Sequence, residues 1–257
     1  MKNSVSFLLF ILFSVSLFSQ QHFITMPAKT PYNQMLERVF NGSYDTATLS
    51  IKWKASSADL YEFGGTLGDG FLYTKLDTAF KYENSLYLVT HTSSYIKNDE
   101  GEMENANSCH VCGTHLSLIV FDIADDSCSL SSIKKNMGQH GTFGEPAYNL
   151  KLVDLGNGYL LLQIDDSYSG MGVTSVTTTF YYYGAQVLSM ISSENNSGSY
   201  DAGQKKYYEF KTKFVFNNKK QTITAIQTGT KLDENTGNKV PATKTRVWKV
   251  DGYTLQF

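Results

Sequence analysis

The sequence predicts an all-β fold, an antiparallel meander of about a dozen strands closed as a sandwich, a barrel or a propeller-like ring, with one short N-terminal helix. Three observations carry this. From residue 48 onward, β-branched, aromatic and aliphatic residues gather in short runs with a period of two. Gly, Asn, Asp and Ser punctuate those runs at short intervals, the chemistry of tight turns. Aromatic residues make up 14% of the chain and charged residues only 18%, a composition that folds and is neither disordered nor collagen-like.

The elements follow in order. Met1-Lys2-Asn3 is a short positive segment, residues 7–18 form an apolar run, and Ser19-Gln20-Gln21 offers small or polar residues for cleavage, so residues 1–20 read as a secretory signal peptide. The run is too short to span a membrane, which takes about 20 apolar residues. A single all-β domain over residues 21–257 is expected, exported to the periplasm or the extracellular space. Cleavage removes Lys2 and no acid, so 21 basic residues face 24 acidic ones and the net charge moves from −2 to −3. That sign argues against nucleic acid as a partner.

A helix is expected over residues 31–40, with Thr30 as cap, Pro31 in the first position and Asn41-Gly42 as the stop. Strand-like runs then occupy residues 48–53, 71–76, 86–92, 115–123, 150–155, 159–164, 173–183, 186–191, 207–216, 221–228, 245–250 and 253–257. Gly156-Asn157-Gly158, Asn217-Asn218 and Asp251-Gly252 are hairpin-type joints, whose tolerance of positive φ matches the twist of antiparallel strands. No fixed repeat of 40 to 50 residues marks a propeller.

Charge is unevenly spread. Residues 98–170 hold eleven acids against Lys134, Lys135 and Lys151, a net −8. Residues 203–250 hold ten lysines and Arg246 against Glu209, Asp233 and Glu234, a net +8. The two sections either attract each other, face solvent, or present a polarised surface that steers a charged partner.

Three cysteines are an odd count for an exported chain: Cys109, Cys112 and Cys128. A hairpin turning at Ala124-Asp125-Asp126 sets Cys128 beside Asp122, roughly 30 Å from Cys112 at about 3.3 Å per residue. Disulfides need Cα atoms within about 7 Å, so Cys128 is expected to be free and packed as a small hydrophobe. Three readings stay open for the Cys109-His110-Val111-Cys112-Gly113-Thr114-His115 stretch. Cys109 and Cys112 form a local disulfide, or they bind zinc with His115 and His91, or they carry out thiol–disulfide exchange. The zinc reading requires His91, at the end of the preceding strand, to meet His115 where the two strands pair. Gly113 stands where covalent haem attachment needs histidine, which excludes that group.

The stretch Ser108-Cys109-His110-Val111-Cys112-Gly113, the apolar run 116–121 and the later Gly141-Thr142-Phe143-Gly144-Glu145-Pro146 together resemble a pattern in uncharacterised exported bacterial proteins. In those proteins a Cys-His-x-Cys element leads into an apolar strand and is followed by a Gly-rich turn. The resemblance covers about residues 77–183. It implies that the Cys109 region organises the domain, and it implies no reaction.

Other chemistry is sparse. Asp125-Asp126, Asp165-Asp166 and Asp233-Glu234 lack the alternate spacing of calcium loops and are expected at turns. No G-x-S-x-G nucleophile elbow occurs. His140, near Glu145, is a general-base candidate whose commoner place is a surface loop. Phe180-Tyr181-Tyr182-Tyr183 sets aromatics on both faces of one strand, for packing or for a tyrosine-rich binding face. The reading that fits best is an exported, non-catalytic β-rich binding module for a protein or glycan, with no cofactor and no membrane span. The alternative is a zinc-binding or thiol–disulfide enzyme centred on Cys109 and Cys112.

Overall fold

A computed structural model describes residues 24–63, 70–106, 108–109, 112–156, 160–170, 173–182, 199–201, 206–233, 235–251 and 254–256. The signal-peptide segment and the expected strand at 186–191 lie outside these residues. The strands are β1 (Thr25–Pro27), β2 (Ser43–Asp45), β3 (Ser50–Lys54), β4 (Phe71–Tyr82), β5 (Ser85–Ser93), β6 (Tyr95–Lys97), β7 (Met103–Asn105), β8 (Thr114–Ala124) and β9 (Ser127–Lys134). They continue as β10 (Gln139–His140), β11 (Tyr148–Asp154), β12 (Leu160–Gly170), β13 (Val173–Tyr182), β14 (Ser199–Asp201), β15 (Lys206–Asn217), β16 (Thr222–Leu232), β17 (Lys239–Asp251) and β18 (Thr254–Gln256). The helices are α1 (Tyr32–Phe40) and α2 (Ser57–Glu62).

Among the described residues every strand pairing is antiparallel, and the chain is the expected all-β meander. The first sheet has eight strands in the order β1-β9-β8-β5-β4-β3-β2, with β10 on the start of β8. The β6–β7 hairpin is inserted between the neighbours β5 and β8 and pairs only with itself. The second sheet is β11-β12-β13 and the third β14-β15-β16-β17-β18.

Helix α1 begins after Pro31 and ends on Asn41, which takes the left-handed conformation at φ 50°. This matches the expected stop, although no side chain caps its start. Helix α2 is an addition to the single helix expected from sequence. Its signature is the capping box of Ser56 and Asp59, in which the Ser56 hydroxyl accepts from the Asp59 amide at 3.1 Å.

Period-two alternation stacks the three sheets. In β5, Leu86 and Leu88 face the helices with Met35, Leu36, Phe40, Trp53 and Phe63, while Tyr87 and Val89 face the other way. There they meet Leu116, Leu118 and Val120 of β8 and, from the second sheet, Leu160, Leu162, Ile164 and Tyr181. The opposite side of the second sheet, with Val153, Leu161 and Phe180, packs on Ile223, Ala225, Trp248 and Val250 of the third. The second sheet is therefore covered on both faces, which is why Leu160, Leu161, Leu162 and Ile164 are all apolar. Phe180 and Tyr181 serve these two cores, one each.

Cys128 pairs with Ile123 in the β8–β9 hairpin, one residue from the expected register, and lies free and buried beside Met26 and Phe121. Burial pushes its thiol pKa up. Asp125 makes the tight turn of that hairpin at φ 49°.

Candidate functional site

The segments around the cysteines and around Gly141 are far apart in sequence and meet at one end of the first sheet. Cys109 and Cys112 are joined by a disulfide with Cα atoms 5.1 Å apart. The Cys112 amide donates to the Cys109 carbonyl at 3.0 Å, closing the loop that feeds β8. Strand β10 then lies beside the start of β8, with Gln139 opposite His115 and His140 opposite Thr114. A Cβ on Gly113 would come within 2.5 Å of the His140 carbonyl oxygen, so this approach requires glycine. Gly144 donates to the Cys112 carbonyl at 2.7 Å and accepts from the Asn105 amide at 2.7 Å, which ties the β6–β7 hairpin to the same end.

Beneath this end, between the first and second sheets, sits a buried polar seam. A bulge in β4 between Leu76 and Thr78 takes Asp77 out of register, and its carboxylate meets His91 of β5, with Oδ1 2.5 Å from Nδ1. The Tyr148 hydroxyl donates to the other Asp77 oxygen at 2.8 Å. The Tyr148 ring also stands edge-on to His140, with centroids 6.2 Å apart. His140 forms the second imidazole–carboxylate pair: its Nδ1 is 2.6 Å from Asp166 Oδ2, and its Nε2 is 2.8 Å from the Tyr181 hydroxyl. The Gly141 amide donates to Asp166 Oδ1 at 2.9 Å.

The Tyr181 hydroxyl lies 2.8 Å from both His140 Nε2 and the Met137 carbonyl oxygen, and so ties the ring to the backbone ahead of β10. Burial, and then the charge of Asp77, push Tyr148 far above the ordinary tyrosine pKa. Burial and the Asp166 charge do the same to Tyr181, so both phenols remain donors. His91 is only 8% exposed and His140 only 6%, which leaves little room for a substrate at either ring.

Two expectations change here. His140 is buried, because its strand is clasped by Gly113 and its ring has a carboxylate and a phenol to bond. Asp165-Asp166 is not a turn. Both lie inside β12, where Asp166 holds His140 and Asp165 accepts from the Thr178 hydroxyl at 2.6 Å and the Gln163 amide at 2.9 Å. Asp233 keeps its expected turn role: amide and hydroxyl bonds from Thr236 hold its carboxyl below the usual range.

The four-ligand arrangement of Cys109, Cys112, His115 and His91 is also not assembled. Strands β5 and β8 do pair antiparallel, but Thr92 is opposite His115 and His91 is opposite Leu116. The two histidines therefore face opposite sides of the sheet. His91 points into the seam, whereas His115 points towards α2, packs edge-on to Phe63 at 5.4 Å and meets the Gln139 side-chain amide at 3.1 Å. The two cysteine sulfurs are bonded to each other. Among the described residues no group of three or more His, Cys, Asp or Glu side chains is placed to hold a metal ion. Burial lowers the His115 pKa against the opposing pull of Asn136 and Glu62.

Sequence reasoning missed Asp77, Tyr148, Asp166 and Tyr181 as one group. The available signal was an acidic residue inside a strand-like run at Leu76-Asp77-Thr78 and again at Ile164-Asp165-Asp166. A charge there needs a polar partner on a neighbouring strand or on the facing sheet.

The third sheet offers a different kind of surface. Its inner face is closed by Phe214, Phe216, Ile223, Trp248 and Val250. The outer face, by alternation, carries Lys211, Lys213 and Val215 of β15, Thr222, Thr224, Ile226, Thr228 and Thr230 of β16, and Thr243, Thr245, Val247 and Lys249 of β17. Lys211, Lys213, Lys249, Thr243 and Thr245 are exposed. A shallow depression of about 290 Å³ is lined by Glu209, Lys211, Thr228, Gly229 and Thr230.

In comparisons with known proteins, no family model, no curated protein and no solved structure matches this chain. No helix among the described residues is long and apolar enough to cross a membrane.

Proposed function

We propose that the protein is an exported, non-catalytic β-rich binding module for a protein or glycan partner. The observation that carries this reading is the contrast between its two polar regions. In the interior, Asp77 bonds His91 and Tyr148, His140 bonds Asp166 and Tyr181, and both imidazoles are buried between the sheets. On the third sheet, by contrast, lysines and threonines stand in open rows. Disulfide pairing of Cys109 and Cys112 is compatible with an oxidising, exported setting.

The test is capture on the immobilised protein at low salt, from glycan arrays and from envelope and secreted fractions. Specific retention of a glycan or protein is the expected result. Retention of nothing contradicts the reading. Thiol counting on the same preparation separates it from a thiol–disulfide enzyme. The binding module shows a closed Cys109–Cys112 bridge whose reduction leaves binding intact, and the enzyme shows turnover of a disulfide substrate.

A further inference from the structure

We infer that the outer face of β15, β16 and β17 is the ligand face, and that its ligand is a linear anionic polysaccharide; this rests on the binding-module reading above. Three observations meet on this face. The first is charge: Lys211, Lys213 and Lys249 are exposed and make no ion pair among the described residues. The only acid among the outward residues from 209 to 217 is Glu209, one pleat from Lys211 and lining the same depression. Three lysines against this one acid leave these positions with net positive charge, which favours an acidic chain.

The second is spacing. Lys211 and Lys213 are alternate residues of one strand and so lie roughly 7 Å apart, and neighbouring strands lie about 4.8 Å apart. Lys213 is in register with Ile226 and Thr245, and Lys211 with Thr228 and Thr243. Cations and hydroxyls therefore recur along the rows, interrupted by Ile226, Val215 and Val247, a surface that a repeating ligand can follow. Threonine hydroxyls both donate and accept, which matches the hydroxyls of a sugar chain as well as its acid groups.

The third is what the rows lack. Energetic centres of protein interfaces are enriched in Trp, Tyr and Arg set in desolvated pockets. The outward positions of β15, β16 and β17 between residues 211 and 249 hold none of these three, and Val215 and Val247 are its large exposed apolar side chains. An extended acidic polymer held by many weak contacts fits such a surface better than a folded acidic protein does.

The experiment uses sodium alginate as the polyuronate probe, dextran as the neutral polymer and polyglutamate as the acidic peptide, with binding followed by titration calorimetry. Variants are the triple Lys211→Gln/Lys213→Gln/Lys249→Gln and, as a control on another sheet, Lys151→Gln. Wild-type protein is expected to bind alginate in a salt-sensitive manner, to ignore dextran, and to bind polyglutamate more weakly. The triple variant should lose about tenfold or more in affinity, while Lys151→Gln behaves as wild type. Undiminished binding by the triple variant, or a preference for polyglutamate over alginate, overturns the inference. If a neutral glycan or a protein is captured and alginate is not, the inference falls and the binding-module reading stands. If no partner of any kind is captured, both fall.

Discussion

At the scale of single residues, the seam between the first two sheets is a set of mutual obligations. Removing one member of a buried imidazole–carboxylate pair leaves the other desolvated and unpaired, which in general costs 3–5 kcal/mol. Asp166 retains 22% side-chain exposure, so Asp166→Asn is expected to cost about 3 kcal/mol, the lower end of that range. Denaturant unfolding checks the magnitude. His115 gives a pH dependence of known sign. Burial holds its pKa in the folded chain below the 6.5 of the unfolded chain, so at acid pH the unfolded state binds a proton that the folded state refuses. Its contribution is constant above about pH 6.5, and stability falls as pH drops from there towards the lower folded value. Urea midpoints measured at pH 7.5 and 5.5 should differ less in His115→Asn than in the wild type. None of these pairings was legible residue by residue, because each joins positions 14 to 71 residues apart. Sequence shows only that a charge in a strand needs some partner.

At the scale of elements, local chemistry was easier to read. The period-two runs and Asp or Asn joints located most strands, and Asn41-Gly42 marked the end of α1. The errors have physical causes. Strand β12 runs on to Gly170 because Asp166 finds His140 across the sheets and Asp165 finds Thr178 on the neighbouring β13, so their turn preference is overridden. Helix α2 escaped notice because it is six residues long, too short to show an apolar period, and only its capping box announces it. The Cys109–Cys112 loop and the β10 strand together give a contrast worth measuring. A bridge across so short a loop removes little chain entropy, so the double substitution Cys109→Ser/Cys112→Ser is expected to cost well under about 3 kcal/mol. Gly113→Ala should cost more, because its Cβ meets the backbone of His140 and pushes β10 off β8. Comparative thermal unfolding of the two variants orders them. A larger loss from the cysteine pair would show that the disulfide, rather than the glycine contact, holds this end.

At the scale of the whole molecule, the second sheet links the other two. Its continuous apolar run at 160–164, broken only by Gln163, is the mark of a strand buried on both sides, although from sequence alone it fits a sandwich, a barrel or a propeller equally well. Which strands face which core depends on register, and register is set by pairing over long distances. Leu161, fully buried against the third sheet, is expected to cost about 2–5 kcal/mol when cut to alanine. Unfolding of Leu161→Ala followed by Trp248 fluorescence should show that loss at the third sheet.

Among the described residues, the three-layer stack leaves the outer face of the third sheet exposed and buries His91 and His140 in the interior. The most direct measurement is calorimetric titration of sodium alginate into wild-type protein and into the Lys211→Gln/Lys213→Gln/Lys249→Gln variant at low salt. Salt-sensitive binding by the wild type, weakened about tenfold or more in the variant, is the predicted result. Equal binding by the two proteins would contradict it.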